Sequence, residues 1–203
     1  MTRLSLTVLL GWLVVTPAVA HAQGDSPRLF SIGARGGFLS TSWDYTESDE
    51  FFERGTDVAA GGFVGIGGQG EGRLALGVLV DVLYARQRIG DAIIGQDVVR
   101  EVVHVPILLK VRARRLSAGG ARVYGLVGPA IDVQTRATFG EEDVTDLYED
   151  SLLSIVAGGG VEWGRWSIDA RAAWGTSSVP KDLSGPGEIR ANTFAILGGF
   201  RVR

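Results

Sequence analysis

Along most of this chain apolar residues recur at every second position. Across 73–88, Leu74, Leu76, Val78, Val80, Val82 and Tyr84 share one parity, while Ala75, Gly77, Leu79, Asp81, Ala85 and Gln87 share the other. Successive side chains of a strand point to opposite faces, so this run predicts one apolar face and one smaller or polar face. A helix would repeat apolar residues near every 3.6 positions, which the run does not favour. The same alternation marks 122–136, 165–175 and 193–203, and glycine-rich versions of it run across 29–40, 58–69 and 151–163. In HVPILLKVRAR (104–114), Val105, Ile107, Leu109, Val111 and Ala113 oppose His104, Pro106, Leu108, Lys110, Arg112 and Arg114, so every charge falls on one side. Pro106 lacks a ladder donor, which predicts a bulge or an unpaired position there.

These segments make about eight strands, the smallest usual number for a transmembrane barrel. Their connections alternate in length. Those at 41–57, 89–97, 137–149 and 176–188 are long, and those at 70–72, 116–120 and 164–165 are short. That order matches a barrel with long loops outside the cell and short turns, with both termini, in the periplasm. Lipid offers no hydrogen bonds, so such a sheet must close on itself. Phe38, Tyr84, Trp163, Trp166, Trp174 and Phe200 lie towards strand ends, where interfacial girdles would sit. A soluble barrel or sandwich would put the apolar parity inside, but the opposite parity is too rich in Gly and Ala for a typical solvated face. The expected fold is therefore an all-β, eight-stranded antiparallel up-and-down transmembrane β-barrel.

The first 22 residues read differently. Arg3, a short apolar run across 4–15, Pro17 and Ala20-His21-Ala22 form a secretory signal peptide pattern, with Ala18-Val19-Ala20 as an alternative cleavage site. The apolar run is shorter than the roughly 20 residues of a spanning helix. The expected organisation is a signal peptide at 1–22 and one barrel domain at 23–203, exported to the outer membrane. The chain has no cysteine, so no disulfide holds it. Its net charge of −3 gives no sign of nucleic-acid binding.

The order of motifs resembles the PorT-like outer-membrane β-barrel family, related in architecture to the OmpA-type group. FSIGARGGF (30–38) resembles its opening strand, and VLVDVLYARQRIG (78–90) its third. HVPILLKVRAR matches its aliphatic–Pro–aliphatic run ending in Lys, and YGLVGPAI (124–131) the Gly-Pro strand that follows. VAGGGVEW and GRWSIDARAAWG (156–175) resemble its late glycine-rich hairpin. The resemblance implies location and fold more than activity. Where such barrels often finish on an aromatic residue, Phe200 is here followed by Arg201-Val202-Arg203.

Candidate chemistry is sparse. GIGGQG (65–70) fits a dinucleotide fingerprint, but Glu71-Gly72 leads into another strand and not into the helix whose N-terminus would take the pyrophosphate. It reads as a strand end and turn. His104 could join a Ser-His-Asp triad with Asp81 or Asp132, but no G-x-S-x-G elbow supports one, and a lumen or rim histidine in a polar network is the plainer expectation. With no second histidine past the leader and no cysteine, neither a metal nor another cofactor is expected.

The inward parity carries both signs: Arg35, Asp81, Lys110, Arg112, Asp132, Glu162, Asp169, Arg171 and Arg201, together with Arg136 and, on less definite parity, Arg86. Buried charges need partners, so these residues predict a salt-bridged lumen network. The long segments at 44–57 and 141–150 are acidic, and suit a basic protein partner or a divalent cation. The expected role is a monomeric, non-enzymatic structural or interaction barrel surrounded by outer-membrane lipid. A narrow channel is the alternative, and a membrane-embedded hydrolase or acyltransferase a third.

Overall fold

The computed structural model describes residues 30–45, 52–53, 55–67, 74–91, 97–113, 120–177, 179 and 189–202. The leader and the expected turn at 70–72 lie outside them, as does nearly all of that at 116–120. Eight long strands carry the fold: β1 (Phe30–Tyr45), β2 (Gly55–Gly67), β3 (Leu74–Asp91), β4 (Asp97–Ala113), β5 (Arg122–Phe139), β6 (Ser151–Trp163), β7 (Trp166–Gly175) and β8 (Ile189–Arg201). Each pairs antiparallel with the next. β8 then pairs with β1 across thirteen positions, from Gly33↔Arg201 to Tyr45↔Ile189, and closes the barrel. Closure leaves no sheet edge to satisfy, the condition for strands to cross hydrocarbon.

The register sets the tilt. A path perpendicular to the strands runs from Gly33 through Phe63, Asp81, Ala130, Ser154 and Gly175, and returns to β1 near Trp43, ten residues further on. That stagger inclines the strands by roughly 40° and leaves an interior only wide enough for side chains.

The faces follow the alternation. Leu74, Leu76, Val82, Tyr84, Ile107 and Leu109 are exposed, as are Val127, Ile155, Ile168 and Ile196 on later strands. Leu79, Leu83, Leu108, Leu126, Val156 and Leu197 are buried inside. An apolar outer wall around a filled interior suits hydrocarbon as the surrounding medium, and this is the architecture of an outer-membrane barrel. The exposed aromatics form two groups. Phe30, Trp163 and Trp166 stand at the rim with the Gly164–Arg165 turn, and the Trp166 and Phe200 rings meet there at 4.7 Å. Phe38, Tyr84, Trp174 and Phe194 stand towards the other rim. Trp166 and Trp174 lie eight residues apart on β7, roughly 20 Å along the axis at about 3.3 Å per residue and 40° of tilt. That is the scale of the ~25 Å apolar band of such barrels.

Several strands outrun the sequence reading. β4 begins at Asp97, not His104, and β3 continues to Asp91, which shortens the third connection to 92–96. Phe52–Glu53 pairs with Gly90 and Asp91, and Glu142–Asp143 folds back on Thr138 and Phe139. Beyond the apolar band water surrounds both faces, so backbone pairing continues where the apolar alternation that signals a strand has stopped.

Pro106 leaves an unpaired position. The β3–β4 ladder runs to Val80↔Ile107 and resumes at Leu83↔His104, skipping the row that holds the proline. Pro129 is matched by a similar gap, where the β4–β5 ladder passes from Pro106↔Ala130 to Leu109↔Val127. The bulge lies elsewhere, between Glu101 and Val102, where the partner moves from Arg136 to Gln134. The extra residue, Thr135, donates its hydroxyl to Glu101 O at 2.9 Å.

Candidate functional site

The lumen holds its polar side chains in stacked clusters. Glycines on the inward parity make room for them. A Cβ at Gly158 would fall 3.0 Å from Arg171 Cγ, one at Gly160 would fall 2.6 Å from Asp169 Cβ, and one at Gly199 would fall 3.4 Å from Arg35 Nε. The glycine richness of β6 and β8 thus serves the charges across from it.

The central cluster joins β1, β3 and β7. Arg35 Nη1 donates to both Asp81 oxygens, at 3.2 and 3.0 Å, and Arg35 Nη2 lies 3.3 Å from Asp169 Oδ2. Arg171 Nη1 donates to Asp81 Oδ2 at 2.5 Å, and its Nε to Asp169 Oδ1 at 2.6 Å. Tyr124 adds its hydroxyl to Asp169 Oδ2 at 2.8 Å, and the Arg35 guanidinium sits 5.0 Å over the Phe63 ring. Two cations face two anions, and no side chain among the four is more than 3% exposed. Low local dielectric strengthens such contacts and penalises any gap in them.

Nearer the Gly164–Arg165 turn, Lys110 Nζ donates to Glu162 Oε2 at 2.8 Å and Arg112 Nη1 to Glu162 Oε1 at 3.0 Å. Lys110 also stands 4.0 Å over the Tyr124 ring. Arg201 joins this rim and donates from Nη2 to Gly164 O at 2.5 Å. On the opposite side of the central cluster, His104 Nδ1 and Asp132 Oδ1 are hydrogen-bonded. These two share a cavity of about 40 Å³ with Ser154 and Arg171, room for one or two waters. The Ser154 hydroxyl meets no partner there.

The last cluster escaped the sequence reading. Arg100 is fully buried, donating from Nε to Gln134 Oε1 at 2.8 Å and from Nη1 to Gln87 Oε1 at 3.5 Å, with the Tyr148 ring 6.0 Å away. It lies upstream of the apolar alternation that begins at His104, so no sequence pattern gives it a face. Tyr124 shares the inward side with Leu126, but nothing in a lone tyrosine marks it as a carboxylate partner.

Two expected lumen residues lie outside. Arg136 is exposed, because Thr135 at the bulge reverses the parity of β5 and turns Ala137 inward in its place. Arg86 shares the outward side with Tyr84 and lies 3.8 Å from Asp57, and Arg88 lies 4.0 Å from the same carboxylate.

Of the acidic segments, half of 44–57 (46–51 and 54) lies outside the described residues, and 141–150 folds around the short 3-10 turn Thr145–Leu147. Asp143 accepts from the Thr145 hydroxyl at 2.6 Å and from its N–H at 3.0 Å. These hydrogen bonds hold its carboxyl below the ordinary value. Among the described residues, no group of three His, Cys, Asp or Glu side chains is placed to hold a metal ion.

No protein-family model matches the chain, and no curated protein matches it. Solved structures do. Ail of Yersinia pestis, in complex with the heparin analogue sucrose octasulfate, is 14% identical over 85% of this chain and 98% of its own, with a TM-score of 0.44. The outer membrane protein OprG from Pseudomonas aeruginosa is 9% identical over 85% and 96%, with a TM-score of 0.45. The outer membrane enzyme PagL is 10% identical over 84% and 98%, with a TM-score of 0.46. Each is a likeness in outline, and no residue's role follows from it.

Proposed function

We propose that this chain is a closed, non-conducting outer-membrane barrel with a structural or interaction role, acting through its long-loop side. The observation that carries this reading is the central cluster: Arg35, Asp81, Asp169 and Arg171 span the lumen from β1 and β3 to β7 with their charges matched. Ions would have to break several charge-assisted bonds to pass. Arg100, Val102 and Val179 add fully buried side chains towards the loop side. The lumen network thus stabilises the fold, and the loop surface, acidic at 141–150, is left to meet a basic partner. Kinship with the PorT-like family rests on the order of sequence motifs, and the closed eight-stranded architecture is compatible with it.

The test is reconstitution of the mature protein in planar bilayers. No steady single-channel steps are expected, and reproducible steps would replace this reading with a narrow charge-lined channel. A hydrolase would need Ser154 activated by His104, and the hydroxyl makes no such bond. Fluorophosphonate labelling that is lost in Ser154→Ala would overturn the non-enzymatic reading.

A further inference from the structure

The turn-side mouth of the lumen carries more positive charge than its carboxylates match. A cavity of about 70 Å³ lies there, lined from the inward parity by Lys110, Arg112, Arg201 and Ser31. Inward Gly65 and Gly77 line it as well and add no side chain to fill it. Glu162 is the carboxylate bonded to Lys110 and Arg112, and among the described residues no carboxylate lies within ion-pair distance of Arg201. Three cations against one anion leave a surplus of two positive charges. An unbonded guanidinium nitrogen does not set this rim apart, since Arg35 Nε and Arg171 Nη2 lack partners in the central cluster too. The central cluster, however, sets two carboxylates against its two cations. The connecting sequences on the turn side add Arg73, Arg114, Arg115 and Arg165 against Glu71. A cleft of one sign between low-dielectric walls concentrates the opposite charge. Lys110 and Arg112 keep part of their side chains exposed, so a ligand in water can reach them.

We propose that this mouth binds a small soluble dianion of the phosphate class, free phosphate or the phosphoryl group of a monoester, entering from the periplasm. Arg112 and Arg201 supply guanidinium groups, which suit phosphate geometry, and Lys110 adds a point charge. Ser31 donates its hydroxyl to Gly65 O at a long 3.3 Å, a bond it can exchange for a phosphate oxygen. A dianion matches the surplus of two charges, whereas chloride or a carboxylate leaves one unmatched. The cavity, about 70 Å³, has the space of a few waters. That suits one tetrahedral oxyanion and excludes a polyanionic chain. Pairing is unbroken from Phe30↔Ile66, through Gly67↔Gly77, to Gly77↔Lys110, so the backbone closes the cavity off from the outer face. The ligand therefore comes from water and not from the leaflet. The site is separate from the loop side, and rests on the outer-membrane reading above for its exposure to the periplasm.

Titration calorimetry of the mature, detergent-folded barrel with inorganic phosphate tests it, at mildly alkaline pH where phosphate is chiefly the dianion. Saturable binding is expected, with sulfate competing and chloride at equal ionic strength not competing. Arg201→Gln and Arg112→Gln should each weaken it about tenfold, the order for one charge-assisted hydrogen bond. Arg86→Gln, on the outer face towards the other rim, should leave it unchanged. No heat of binding at millimolar phosphate, equal competition by chloride, or unchanged affinity in either mouth variant would overturn the proposal. So would loss of phosphate binding when phosphatidylglycerol replaces phosphatidylcholine in the mixed micelle, which would make the site one for a lipid headgroup. A heat-modifiable gel shift on every variant reports that the barrel has folded, so loss of phosphate binding and failure of the barrel reading are told apart.

Discussion

The central and the turn-side clusters share one lumen and the same residue types, yet they are built to different ends. In the centre, two arginines and two aspartates are almost sealed from solvent and each carboxylate is shared by both cations. At the turn side, Lys110 and Arg112 share one glutamate, keep 20% and 24% of their side chains exposed, and have Arg201 beside them. Burial makes the difference. A sealed charge must be matched within the protein, while a partly exposed one can be completed by water or by a ligand. The first arrangement locks the strands together, and the second leaves charge open to solvent at the mouth of the lumen.

The largest expected effect breaks the central cluster. Asp81→Asn leaves Arg35 and Arg171 with one carboxylate between them, and loss of a buried partner costs about 3–5 kcal/mol. Glu162→Gln should cost about 1 kcal/mol, because Lys110 and Arg112 can turn towards water. Urea unfolding of the two variants in the same detergent measures both, and equal losses would remove the distinction drawn between the clusters.

A smaller effect tests the packing around the central charges. Gly160→Ala would place a methyl 2.3 Å from Ile168 O and 2.6 Å from Asp169 Cβ, an overpacking that costs about 1–3 kcal/mol. At outward Gly198 a Cβ would meet only Gly36 O, at 3.7 Å, so Gly198→Ala should stay within about 0.5 kcal/mol of the parent. Unfolding midpoints that fall equally in both would mean that the inward glycines do not make room for the charges.

The smallest effect lies outside the barrel wall. The Asp143 carboxyl is held low by Thr145, so its contribution is present above the ordinary aspartate pKa and is lost as pH falls through the lowered value. In Thr145→Val its titration, followed by NMR, should move back up towards the ordinary range. An unmoved midpoint would assign the shift to the backbone N–H of residue 145, which the substitution keeps, and to Arg136, 4.0 Å away.

The outer face was legible strand by strand. Leu74, Leu76, Val82 and Tyr84 alternate because hydrocarbon accepts no polar side chain, and the same alternation in HVPILLKVRAR placed Lys110 and Arg112 inside. Where water replaces lipid the signal fades, so Arg100 and the early part of β4 went unread. Arg136 was misread for a different reason: one extra residue in β5 reverses every side chain beyond it, and Thr135 looks ordinary in sequence. Pro106 announced a gap in the ladder, and the gap is there; the neighbouring bulge at Glu101 and Val102 had no such signal.

From its own order of residues, then, the chain determines that it forms strands, which face of each meets lipid, and that acids and bases share the interior. Local sterics and the medium decide those features within a single segment. Which charges meet is decided by the closed barrel alone. Asp81 on β3 reaches Arg35 on β1 and Arg171 on β7 because closure at a stagger of ten residues brings distant segments to one height. No pattern within a strand encodes that height, since it accumulates from the registers of all eight pairings. The same geometry sets Arg201 at the turn-side rim, where among the described residues its hydrogen-bond partner is the backbone oxygen of Gly164.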